Sequence, residues 1–379
     1  MNPIKKIIFI LLLTIPVSCI TQFIPKTNET KELLVVEGLI TDQPVANTIK
    51  LSSSLPLGII SVAKPVKGCT VTISDNLGNN FSLAETADGM YATDTAQFRG
   101  IIGRFYTLHI NTNSSFNNLN FETYPVEMKP VPPIDSIFYK KVTINERSNT
   151  SGGQEGCQIY LNTHDPTNQC KFYRWKYTET WEFHIPYIFV SNRICWLSNN
   201  SEVINIKNTS SLEENRISLY PLNFVSNVTD RLSIKYSILV NQYSLNEDEY
   251  LYWEKLQNIT EQVGGLYDMI PSAIPSNVYC LEDPNEKVLG YLSVSASSSK
   301  RIFIKDHFEG LVSPYTTDAC IRDTIYEEGP IPNLDAYVWI IISHPSPPPY
   351  YMVITDNKEC ADCTVRGTKT EPDFWNNNK

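Results

Sequence analysis

Hydrophobic and polar residues alternate along most of this chain, and the period is two. The clearest run is Lys171–His184. Tyr173, Trp175, Tyr177, Trp181 and Phe183 fall on one side, broken only by Glu179. Arg174, Lys176, Thr178, Thr180, Glu182 and His184 fall on the other. Arg231–Gln242 repeats the pattern, with Leu232, Ile234 and Tyr236 against Ser233, Lys235 and Ser237. Cys69–Ser74 alternates as well, and Asp75-Asn76-Leu77-Gly78-Asn79 behind it reads as a hairpin turn. Shorter runs predict strands over Leu34–Ile40, Thr48–Ser52, Phe105–Ile110, Ser136–Thr143, Cys157–Asn162, Ile217–Leu222, Ala336–Ser343 and Tyr350–Thr355. Lys287–Ala296 and Lys300–Ile304 read as a hairpin through Ser297-Ser298-Ser299.

One stretch breaks the period of two. Tyr252, Leu256, Ile259 and Val263 recur at helical spacing. Ser244-Leu245-Asn246-Glu247 ahead of them has the form of a capping box, and Gly264-Gly265 ends the run. Glu247, Asp248 and Glu249 then occupy the first turn, where carboxylates complement the helix dipole. A cation bound by the trio is the alternative reading.

The fold class is therefore mainly β: an N-terminal transthyretin/Ig-like β-sandwich, then a larger β-rich domain with one amphipathic helix. Short strands at regular spacing indicate the sandwich. Val36-x-Gly38-x-Ile40-Thr41-Asp42, Ala87-Asp88-Gly89-x-Tyr91 and Gly103-x-x-Tyr106-x-Leu108-His109-Ile110 resemble sandwiches of the transthyretin-like type. The sandwich is expected over residues 33–124. A proline-rich linker follows over 125–134, and the second domain over 135–379.

The first 32 residues are of another kind. Lys5 and Lys6 precede an apolar run, Ile7–Ile15, and then Pro16-Val17-Ser18-Cys19. A run of about nine residues is too short for a hydrocarbon core that needs roughly 20. Residues 1–18 read as a signal peptide with lipidation at Cys19. Residues 19–32 are polar without a period and read as a tether. Two or more acyl chains on Cys19 would give stable membrane anchoring. Loss of residues 1–18 takes away Lys5 and Lys6 and moves the net charge from −10 to −12. So acidic a body argues against nucleic-acid partners.

Nine cysteines less Cys19 leave eight: Cys69, Cys157, Cys170, Cys195, Cys280, Cys320, Cys360 and Cys363. An even number in an exported chain points to disulfides. Cys157 with Cys170 across a hairpin, Cys195 with Cys280, and Cys320 with Cys360 or Cys363 are the expected pairings. The Cys360-Ala-Asp-Cys363 spacing also suits redox or zinc chemistry, with His344 the one nearby further ligand. Disulfides are the preferred reading. No metal and no cofactor is expected.

The aromatic side of Lys171–His184 is the candidate ligand platform. Trp175, Tyr177, Trp181 and Phe183 could stack on a sugar or line a β core. Catalysis is not expected. No G-x-S-x-G or H-E-x-x-H motif occurs, and the five histidines are scattered singly.

Several motifs carry a family resemblance. They are Leu34-Val-Val-Glu-Gly-Leu-Ile-Thr-Asp42, Trp175-Lys-Tyr-Thr-Glu-Thr-Trp-Glu-Phe-His184, Glu282-Asp-Pro-Asn-Glu-Lys-Val-Leu-Gly-Tyr291, Lys300-Arg-Ile-Phe-Ile304 and Cys360-Ala-Asp-Cys-Thr-Val-Arg-Gly-Thr368. Together they resemble the Bacteroidetes lipoproteins grouped as domain-of-unknown-function family 4249. The resemblance implies an outer-membrane lipoprotein, often encoded beside a TonB-dependent receptor of the SusC type. The expected function is an accessory or ligand-binding component of such an uptake system. The alternative is a structural or assembly lipoprotein of the envelope without a small ligand. Ile20-Thr-Gln-Phe-Ile24 lacks the acidic residues that often direct such lipoproteins to the cell surface, so both the surface and the periplasmic side stay open.

Overall fold

The computed structural model describes residues 32–54, 63–113, 116–144, 153–185, 190–261, 274–305, 323–326, 338–342, 351–355 and 357–376. The expected signal peptide, Cys19, all but the last residue of the tether, Gly264-Gly265, Cys320 and His344 lie outside them.

The fold is mainly β. In chain order the first strands are β1 (Leu34–Thr41), β2 (Thr48–Ser53), β3 (Lys64–Pro65), β4 (Thr70–Asp75), β5 (Asn80–Ala87), β6 (Met90–Ala92), β7 (Phe105–Asn111), β8 (Asn120–Thr123) and β9 (Val126–Glu127). Then come β10 (Ile134–Ile144), β11 (Gln154–His164), β12 (Phe172–His184), β13 (Ile194–Asn200), β14 (Asn205–Asn208), β15 (Arg216–Ser226) and β16 (Lys235–Leu245). Helix α1 spans Glu247–Glu261. After it come β17 (Val278–Cys280), β18 (Val288–Ser295), β19 (Ser297–Lys305), β20 (Asp323–Tyr326), β21 (Val338–Ile342) and β22 (Tyr351–Thr355).

The first sheet runs β17-β8-β7-β4-β5-β6-β2-β1-β18, with β3 beside β2 and β9 beside β7. It surrounds one apolar core in the manner of a sandwich or barrel. Val36, Ile40, Ile49, Leu51, Val71, Ile73, Leu108 and Ile110 are buried in it. These are alternate positions on their strands, so the period of two in the sequence becomes the inner face.

Two strands of this sheet come from far along the chain. β17 pairs with β8, and β18 lies parallel to β1, from Leu34↔Val288 to Thr41↔Ser295. Val278, Leu292 and Val294 complete the same core. The first sheet thus takes in residues from both sides of the proline-rich linker, and β9 inside that linker pairs with β7.

The expected hairpin between Lys287–Ala296 and Lys300–Ile304 does not form. β18 stays with β1, while β19 pairs antiparallel with β16. A three-residue hairpin loop needs a turn that closes with a residue at positive φ. Ser297, Ser298 and Ser299 are instead extended and belong to β19. Ala296, fully buried, marks the point where the chain passes from one sheet to the other.

Gly290 makes the β1–β18 pairing possible. Its φ is +86°, and an added Cβ would lie 2.0 Å from the Val36 carbonyl oxygen. Only glycine tolerates both conditions.

The second core lies between two further sheets. One is β10-β11-β15; the other is β13-β12-β16-β19 with β14 also on β12. Tyr173, Trp175, Tyr177, Trp181 and Phe183 fill this core with Ile159, Leu161, Val225, Ile238 and Val240. Burying one such aromatic removes roughly 150–250 Å² from water, worth about 5 kcal/mol. Glu179 interrupts the stripe because it anchors a polar network. It accepts hydrogen bonds from Tyr236 Oη (2.7 Å), Asn223 Nδ2 (3.1 Å) and Arg231 Nη1 (3.2 Å).

The C-terminal segment is tied to β13. Cys195 and Cys363 form a disulfide, and Trp196 and Thr368 exchange backbone hydrogen bonds of 2.9 Å. Trp375 is buried, and its indole N–H donates to Glu182 Oε2 at 3.2 Å. β20, β22 and β21 form a separate antiparallel sheet.

Candidate functional site

Period-two geometry sends the aromatic residues of β12 into the core, so Arg174 and Lys176 emerge on its opposite face. There α1 crosses over β12 and β18. A cleft of about 350 Å³ opens beneath it, bounded by β1, β2, β6, β12, α1 and β18. Its polar lining includes Arg174 and Lys176 from β12, Lys50 from β2, Glu37 from β1 and Ser293 from β18. Tyr252, Trp253 and Tyr291 supply aromatic walls, and the rings of Tyr252 and Tyr291 lie 4.8 Å apart.

Arg174 is the unusual member. It is only 8% exposed. Its guanidinium carbon stacks 3.3 Å from the centroid of the Trp253 ring. No carboxylate or carbonyl among the described residues accepts a hydrogen bond from it. Burial lowers its pKa to about 10, so it remains a cation at neutral pH. Lys176 sits at the exposed mouth. Desolvation and the Arg174 charge bring it down to about 8. Lys50 is already paired with Glu37 at 2.8 Å.

Behind Trp253 lies Glu249, fully buried. The indole N–H donates to Glu249 Oε1 at 3.4 Å, and among the described residues Oε2 has no hydrogen-bond partner. Burial pushes this carboxyl up to about 7, against the pull of Ser293, Arg174, Trp253 and Lys176. Trp253 therefore separates a buried cation from a buried acid and touches both.

The expected capping box is not what starts the helix. Ser244 belongs to β16, and its Oγ donates to the Lys129 carbonyl at 2.6 Å. Asn246 takes the cap position: its carbonyl accepts from the Tyr250 N–H (2.9 Å) and its Nδ2 donates to the Glu127 carbonyl (3.0 Å). Both residues lash the helix start to the linker. That attachment fixes α1 over the cleft. Glu247 and Asp248 are exposed while Glu249 points inward, so the acidic trio does not converge on a cation.

The candidate platform of Trp175, Tyr177, Trp181 and Phe183 is buried, none more than 6% exposed. Of the two readings of that stripe, the core is correct. Trp175 Nε1 even finds a buried acceptor in Gln242 Oε1 at 2.8 Å. A side chain enclosed between two sheets offers no face to a sugar.

Two of the expected cysteine pairings do not form, and the third keeps only its Cys360 alternative, with Cys320 outside the described residues. Cys157 and Cys170 are both buried thiols. β11 and β12 belong to different sheets, so no hairpin brings the two together. Cys195 cannot meet Cys280, which lies in the first sheet; it pairs with Cys363. Cys69 and Cys280 are thiols as well. Cys360 is disulfide-bonded too, so neither half of the Cys360–Cys363 motif offers a thiolate to a metal. Among the described residues no group of three metal-ligating side chains converges.

One constellation escapes any linear motif. Ser74 Oγ lies 2.7 Å from His109 Nε2, and His109 Nδ1 lies 2.9 Å from Glu122 Oε1. Cross-strand register on β4, β7 and β8 assembles it. The order is that of a nucleophile, base and orienting acid. Yet Ser74 is inside a strand paired on both sides, with β5 and β7. Its neighbouring amides serve the ladders and leave no donors for an oxyanion. Neither described cleft includes it. His164 with Asp135 and His184 with Glu182 make similar surface pairs, each at 2.7 Å.

A second cleft, of about 470 Å³, lies by the linker and shares Tyr291 with the first. Its charges are mixed, with Glu127, Lys129, Asp248 and Lys255 at its walls.

A family model described as "Domain of unknown function (DUF4249)" matches residues 20–301. The chain belongs to this family. The matched stretch contains every residue that lines the cleft under α1. In this DUF4249 protein the disulfide-bonded C-terminal segment lies beyond the match. No curated protein matches the chain.

Proposed function

We propose that this protein is an outer-membrane-anchored lipoprotein that binds a small ligand as the accessory component of a TonB-dependent, SusC-type uptake system. It performs no covalent chemistry in this reading. The observation that carries it is Arg174: a buried cation at the wall of a cleft of ligand size, its guanidinium without a hydrogen-bond acceptor among the described residues. Small-molecule sites are concave and mostly apolar, with a few placed polar groups. The cleft under α1 has that composition. The signal-like residues 1–18, Cys19 and the polar tether support export and lipid anchoring.

The test is purification of the tagged chain from detergent-solubilised outer membranes. Recovery of a TonB-dependent receptor in stoichiometric amount is expected. Recovery of envelope-assembly proteins and no receptor would contradict the uptake role and favour the structural alternative.

A further inference from the structure

We infer that the cleft under α1 binds a small organic monocarboxylate with an apolar or ring-bearing body, held by Arg174. This rests on the ligand-binding reading above and names the ligand class.

Three observations converge. The first is the state of the guanidinium. Taking an ion out of water costs several kcal/mol unless a counter-charge and hydrogen bonds compensate. Arg174 is buried, among the described residues no side chain or carbonyl accepts a hydrogen bond from its guanidinium, and its nearest counter-charge, Glu249, lies behind Trp253. Its stack on Trp253 covers one face only. The N–H edge remains, and that edge forms paired hydrogen bonds to a carboxylate.

The second is the balance of charge. Lys50 and Glu37 cancel each other. Arg174 and Lys176 remain, two residues apart on one strand and so roughly 7 Å apart along it. Glu249, behind Trp253, offsets part of that charge when ionised. The surplus suits one negative charge; a dianion would also meet Glu37 and Glu249.

The third is the remaining wall. Tyr252 and Tyr291 form a tilted ring pair, and Leu39 and Leu256 add aliphatic surface. At about 350 Å³ the space is at the small end for a ligand site. A carboxylate with a compact apolar body satisfies all three.

Isothermal titration of the full mature chain tests this with three probes: phenylacetate, its neutral analogue phenylacetamide, and inorganic phosphate. Phenylacetate is expected to bind about tenfold or more tighter than either other probe, as a charged hydrogen-bond pair implies. Arg174→Gln is expected to remove that preference, with circular dichroism confirming the fold. Lys176→Gln, on the exposed mouth, keeps the test valid if the buried substitution unfolds the chain; it is expected to weaken phenylacetate severalfold. Equal binding of phenylacetate and phenylacetamide, or of phenylacetate to wild type and both variants, overturns the carboxylate assignment while leaving a ligand-binding protein. Phosphate binding as tight as phenylacetate overturns the apolar part of it. Binding of none of the three overturns the proposal, and receptor recovery then decides the uptake reading separately.

Discussion

The Arg174 guanidinium stacks 3.3 Å from the centre of the Trp253 ring, and the same indole donates its N–H to Glu249. A strand cation and a helix acid are thus held apart by one aromatic side chain. An ion placed for function rather than stability should be dispensable to the fold. Arg174→Met keeps the length and removes the charge; thermal unfolding is expected to show equal or higher stability. Trp253→Ala should cost about 1–3 kcal/mol through lost packing and the freed Glu249. A large loss from Arg174→Met would make Arg174 a structural residue.

Glu249 sets a pH dependence with a definite sign. Its carboxyl titrates at about 7 when folded, against 4.5 ordinarily. Between those values the folded chain holds a proton that the unfolded chain has released. Stability from this group is therefore complete below about pH 4.5 and is lost as pH rises through about 7. The whole effect is about 3 kcal/mol. Urea unfolding at pH 5 and pH 7.5 should show the decline in wild type and a smaller one in Glu249→Gln. Lys176 leaves this window clear, since its own lowered value lies near 8.

Gly290 holds the returning strand against β1. Gly290→Ala must place a methyl group on the Val36 carbonyl at a positive φ. A loss of at least about 2–4 kcal/mol is expected, visible as a lower urea midpoint or poor recovery of folded protein. A neutral outcome would mean that β18 does not lie where β1 needs it.

The Cys195–Cys363 bridge closes a separation of 168 residues. Loop-closure entropy for so long a span gives at most about 5 kcal/mol, and usual values are about 2–4. Cys195→Ser should lower the unfolding free energy by that amount, and reductant, which also opens the Cys360 bridge, should lower that of wild type at least as far. Zinc chelation, in contrast, should leave the midpoint unchanged.

Ser74 should be inert. A fluorophosphonate probe is expected to leave it unlabelled despite its bond to His109, because no oxyanion donors face it. Labelling abolished by Ser74→Ala would establish a nucleophile and reverse the non-catalytic reading.

The sequence made the strands legible and their partners much less so. Alternation in Lys171–His184 put the aromatic residues of β12 on one face, down to the break at Glu179, and left open whether that face is a platform or a core. It also put Arg174 and Lys176 together on the other side, without saying what covers them. That depends on α1, whose Ser244-to-Glu247 pattern has the form of a capping box. The hydroxyl and Asn246 serve instead to fasten the helix to Lys129 and Glu127, far away in the chain. Partnership between β1 and β18 spans about 250 residues and leaves one local trace, Gly290. The Ser74–His109–Glu122 relay is invisible for the same reason: register brings it together, and register is set by contacts distant in sequence. Cysteine pairing follows the sheets, so spacing alone could not have chosen Cys363 for Cys195.

The most direct test of the cleft is native mass spectrometry of wild type and Arg174→Gln, each purified from its own membranes without denaturant. A small adduct of anionic mass is expected on the wild-type chain and missing from the variant. The same adducts on both chains, or none on either, would contradict a ligand site built around Arg174.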